Sequence, residues 1–68
     1  MTIQTITNIL SGLKVNYVLN YSCNTPDFVT VQTELSDNLL FVRKLKMNGI
    51  RFDNIGIEKG QVTTKVFL

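Results

Sequence analysis

Seven cations, five carboxylates, two tyrosines and one thiol are the titratable side chains of this chain, and histidine is absent. The absence of histidine removes the commonest general base. Cys23 has no imidazole to activate it as a nucleophile and no spaced partners to complete a zinc ligand set. As the only cysteine it cannot form an intramolecular disulfide, and a free thiol suits a reducing interior. The carboxylates Asp27, Glu34, Asp37, Asp53 and Glu58 fall mostly at predicted turns and element ends. There they suit solvation better than paired acid–base work. Gly56 and Gly60 flank a predicted hairpin rather than a strand-to-helix turn, so no phosphate-cradling loop is encoded. The expectation is a non-enzymatic chain with no cofactor and no metal.

Binding chemistry is better represented. On the second predicted helix, Leu40 and Met47 fall opposite the core-facing arc and flank Arg43 and Lys44. Apolar anchors beside an arginine are the composition protein interfaces favour. These four residues are the expected partner-binding site. Lys14, Arg51 and Lys65 form the alternative site. Strand alternation sends Lys14, Asn16, Val18 and Asn20 to one face, joined by Thr30 and Gln32 and by Lys65 and Phe67. Arg51 occupies the place of Lys14 in the second half of the chain. Cations, amides and a ring on an open sheet suit single-stranded nucleic acid. A third possibility is the apolar end Val66-Phe67-Leu68, which on a sheet edge would pair with another strand.

The elements that position these residues follow from periodicity. Ile3, Ile6, Ile9, Leu10 and Leu13 recur at helical spacing and predict a helix over 2–13, with Thr2 as N-cap and Gly12 near the stop. Residues 14–23 alternate, placing Val15, Tyr17, Leu19, Tyr21 and Cys23 on the buried side of a strand. Asn24-Thr25-Pro26-Asp27 is a turn, and Phe28 to Leu35 a second strand with Val29, Val31, Thr33 and Leu35 inward. Ser36-Asp37-Asn38 signals a helix start, and the helix runs over 37–48 on Phe41, Val42 and Leu45, with Leu39 at the edge. Strands over 50–57 and 61–68 follow. A slip in the parity of the first predicts a bulge near Asp53-Asn54, and Glu58-Lys59-Gly60 joins the two.

The order αββαββ predicts an α+β two-layer sandwich, with a four-stranded antiparallel sheet and both helices on one face. It has the element order of a circularly permuted ferredoxin-like domain, a likeness of architecture that carries no function. Ser11-Gly12-Leu13-Lys14-Val15-Asn16-Tyr17-Val18 is echoed by Asn48-Gly49-Ile50-Arg51-Phe52-Asp53-Asn54-Ile55. A single domain over 1–68 is expected, with a candidate pseudo-repeat over 2–35 and 37–68.

Sixty-eight residues bury only about 60% of their unfolded surface, so a homodimer or another protein partner is expected to support the core. A net charge of +2 is too weak to demand nucleic acid or an anionic membrane. No apolar run is long enough to span a bilayer, and the N-terminus lacks a signal-peptide pattern. A cytoplasmic location is expected. Alanine is absent and asparagine occurs seven times, as an AT-rich genome would encode. The expected function is a small protein-binding factor, for example a phage or mobile-element accessory protein that inhibits or redirects a host macromolecule, in the host cytoplasm if phage-encoded. The alternatives are a nucleic-acid-binding regulator and a structural subunit of a larger assembly or virion.

Overall fold

Thr2 sets the start of the first helix in the structure, a computed structural model that describes residues 2–68. Its backbone is extended, and its hydroxyl accepts from the Thr5 N–H, one of the donors a helix start leaves free. Helix α1 spans Ile3–Leu13. Ile6 and Leu10 on this helix are fully buried, and Ile3, Ile9 and Leu13 pack around them. Gly12 lies inside the helix rather than at its end. The left-handed residue that closes it is Lys14, at φ 57°.

The remaining elements are β1 (Tyr17–Asn20), β2 (Phe28–Glu34), α2 (Leu35–Met47), β3 (Phe52–Glu58) and β4 (Gln61–Phe67). They form one antiparallel sheet in the order β1-β2-β4-β3. Both helices cover the same face, as the sequence predicts. Val29 and Val31 of β2 and Val66 of β4 meet Ile6, Leu10, Phe41 and Leu45 in one core, closed by Ile50. Full burial of a side chain such as Phe41 contributes about 1.5–3 kcal/mol.

Several boundaries differ from expectation. The first strand is four residues long, not ten. Alternation continues to Cys23, but β1 is paired only against Thr30 to Thr33, and the chain then bends through Ser22–Thr25. Beyond that point no layer faces Tyr21 or Cys23, and both are exposed. Leu35 does not end β2. It opens α2, donates its N–H to the Gly60 carbonyl at 2.9 Å, and is exposed. Leu39, placed at the edge of the core arc, is 71% exposed. The helix therefore starts before Ser36-Asp37-Asn38, and Asn38 is buried instead of capping.

The third strand carries its bulge at Ile55, between Asn54 and Gly56, a residue or two beyond the expected place. Lys59 and Gly60, at φ 52° and 78°, make the tight hairpin turn. The last strand lies between β2 and β3, so Val66-Phe67-Leu68 is not on an edge, and the edge-pairing expectation for it fails. The echo also misaligns. Gly49, at φ 67°, takes the left-handed turn after α2, whereas its counterpart Gly12 is helical and Lys14 does that work after α1.

Candidate functional site

Alternation on the two central strands sends Val29, Val31, Thr33, Val62, Thr64 and Val66 toward the helices, where all six are buried. It therefore sends Phe28, Thr30 and Gln32 and, from β4, Thr63, Lys65 and Phe67 to the uncovered face. Phe28 and Phe67 stand directly opposite each other. Lys65 pairs with Thr30 on one side and with Asp53 on the other. Its Nζ lies 4.2 Å from the centre of the Phe28 ring and 5.2 Å from that of Phe67. The guanidinium carbon of Arg51 is 5.3 Å from the Phe67 ring centre. Two rings and Lys65 on the central strands, with Arg51 reaching in from the start of β3, thus form one cluster, held by cation–π attraction of about 0.5–1 kcal/mol per exposed contact. Phe28 is still 42% exposed, so the cluster is open to a ligand.

Of the three cations expected on this face, the structure brings two together. β1 begins at Tyr17, opposite Thr33, which puts Lys14 at the far end of the sheet near Glu34. The strand directions sort charge along the molecule. The C-terminal half of α2, with Arg43, Lys44 and Lys46, ends next to Arg51 at the Phe28–Phe67 end. Glu34, Asp37 and Glu58 lie at the opposite end, where β2 and β3 finish and α2 begins. A modest net charge of +2 therefore hides an uneven distribution: five of the seven cations, together with Asp27 and Asp53, lie toward the Phe28–Phe67 end. Phe28 is the residue that the sequence reasoning missed. Its signal was present, because it shares the parity of Thr30.

The residues expected to bind a protein partner are also presented. On α2, Leu40 is 46% and Met47 71% exposed, and Arg43 and Lys44 are exposed with them. Lys44 and Met47 border a shallow groove of about 560 Å³ between the helices, whose far wall is Thr5, Asn8, Ile9 and Gly12 of α1. Leu40 and Arg43 lie outside that groove.

No protein-family model, curated protein or solved structure matches this chain. Among the described residues no helix is long and apolar enough to cross a membrane.

Proposed function

We propose that this chain is a non-enzymatic binding protein that holds single-stranded nucleic acid on the Phe28–Phe67 half of its open sheet face. The observation that carries this reading is the ring pair on the two central strands, with Lys65 and Arg51 at its margins. Every base has a π face, so a flat ring accepts any sequence, and stacking contributes about 1–3 kcal/mol per base. On binding, the Lys65 ammonium exchanges its contact with the Phe28 ring for a phosphate, and the base takes the ring face. Arg51 supplies the second cation. The cationic end of the molecule draws the strand to this half of the sheet.

Fluorescence anisotropy tests the reading, using labelled DNA and RNA single strands of about 12 nucleotides and the matching duplex. Single strands are expected to bind more tightly than duplex. Phe28→Ala and Phe67→Ala should each weaken binding by about 5- to 150-fold. Lys65→Ala should flatten the salt dependence by about 0.7 in log–log slope, the share of one phosphate on a single strand. Lys14→Ala, at the other end of the sheet, should change little. Circular dichroism establishes that each variant folds. Duplex binding equal to single-strand binding, or affinity indifferent to Phe28, would overturn the reading.

The exposure of Leu40 and Met47 beside Arg43 and Lys44 favours a second reading, in which the outer face of α2 docks on a partner protein. Apolar residues on the solvent side of a helix this short are covered only by something outside the chain. In this reading the protein is an accessory factor that acts sterically on its target.

A further inference from the structure

The two edges of the sheet are unequal. β1 has four residues and is followed by an irregular segment, which leaves little edge to pair. β3 has seven residues, and every one from Asp53 onward is exposed. Its outer side offers unpaired backbone donors and acceptors, and it carries Ile55 and Ile57 at 56% and 70% exposure. Natural edges are usually blunted by shortness, charged side chains, proline or a bulge. This edge is long and has no lysine or proline; it carries the bulge at Ile55 and two carboxylates, Asp53 and Glu58.

The bulge itself restricts what can pair there. Before it, Phe52 and Asn54 share the side of buried Val66 and Thr64, while Asp53 shares the side of Lys65. Arg51 also lies on that second side, over the Phe67 ring. After the bulge the parity shifts: Ile57 is on the helix side with Val62, and Gly56 and Glu58 are on the open side. Residues directly opposite in an antiparallel pair must point the same way. When β3 pairs with a copy of itself along its length, only two registers meet that condition, both with the bulge at the two-fold axis. One sets Asp53 against Glu58 in both halves, which is like-charge repulsion. The other sets Arg51 against Glu58 and Phe52 against Ile57 in both halves. The second pairs opposite charges on the open face and apolar side chains on the helix face.

We propose that two copies of this chain associate through β3 in that second register, making a continuous eight-stranded antiparallel sheet. The occupant is a second copy because the edge is complementary to itself: the charge that Glu58 needs opposite it is Arg51, the residue that leads into the same strand. Leu35 and Leu39 of α2, outside the groove that Lys44 borders, are exposed as well. The association uses the edge of the sheet, whereas the Phe28 and Phe67 rings stand on the central strands; Arg51 is the residue the two surfaces share.

Sedimentation equilibrium and multi-angle light scattering test the proposal on the full chain, from low-micromolar to near-millimolar concentration. The wild type is expected to run at the mass of two chains. Glu58→Arg should raise the dimer dissociation constant about tenfold or more, since it replaces two attractive cross-strand pairs by two repulsive ones. The charge-reversed double variant Arg51→Glu/Glu58→Arg should recover the dimer, which general loss of stability would not allow. Ile57→Lys should give a folded monomer, because the position is already mostly solvated. A wild-type monomer at every concentration, a dimer that survives Ile57→Lys, or a double variant no better than Glu58→Arg would each overturn the proposal.

Discussion

Asn38 holds the one buried polar network of side chains seen among the described residues. Its Nδ2 donates to Thr64 Oγ1 at 2.8 Å and to Thr33 Oγ1 at 3.3 Å, and Thr64 Oγ1 donates to Asn54 Oδ1 at 2.9 Å. The amide thereby ties α2 to both central strands and, through Thr64, to β3. Because Asn38, Thr33 and Thr64 are buried together, deleting the amide leaves its partners desolvated with a bond missing. Asn38→Ala is expected to lower stability by about 1–3 kcal/mol, read from urea unfolding as a lower midpoint with an unchanged slope. Leu39→Ala, at the neighbouring and largely exposed position, should stay within about 0.5 kcal/mol. A reading by residue type alone would reverse those two outcomes, since it takes asparagine for a cap and leucine for core.

Helix α2 shows how an element can serve two masters. Its inner side, Phe41 and Leu45, is fully buried against the sheet, and its cations gather in the last turns, where they suit the negative end of the helix dipole. Its outer side carries Leu40 and Met47, which the fold does not use. The double variant Leu40→Ala/Met47→Ala should leave the unfolding midpoint nearly unchanged, because neither side chain is buried. It should abolish capture of a protein target if this side of α2 is the docking surface. Quantitative pull-down from cell lysate, treated with nuclease and compared between the two forms, measures this. Unchanged capture by the folded double variant would exclude the α2 outer face. Placement of Leu40 and Met47 was legible in the sequence because helical periodicity alone assigns the two sides of a helix. The groove that Met47 borders was not, since its far wall comes from α1, a neighbour that only packing brings alongside.

At the scale of the whole molecule, size sets the limits. The radius of gyration is 10.9 Å, close to the compact-domain expectation for this length, so the chain is fully collapsed. The accessible surface is 4592 Å², somewhat above the roughly 4,300 Å² that mass scaling gives. Part of that surface is the exposed apolar side chains of α2 and β3. Covering some of it in a dimer adds stability by mass action, because only folded chains pair. The thermal midpoint should therefore rise with protein concentration in the wild type, and be independent of concentration in Ile57→Lys. Differential scanning calorimetry over a hundredfold range, about 2.7 kcal/mol in association free energy, measures both.

The six elements, the α+β class and most of the core are written in local periodicity. The apolar positions of α1 recur with the helical period, and those of β2 and β4 with the strand period, and each period records which side of its element is buried. That record needs no knowledge of the partner, which is why Ile6, Leu10, Val29, Val31, Phe41 and Leu45 are legible as core from the sequence. Strand order, the short β1, the burial of Asn38 and the meeting of Phe28 with Phe67 depend on which distant segments pair. The choice of edge belongs with them: β4 looked free in one dimension, but it lies between β2 and β3, and β3 is left open instead. Periodicity reports that a face is covered, and only the three-dimensional packing decides by what.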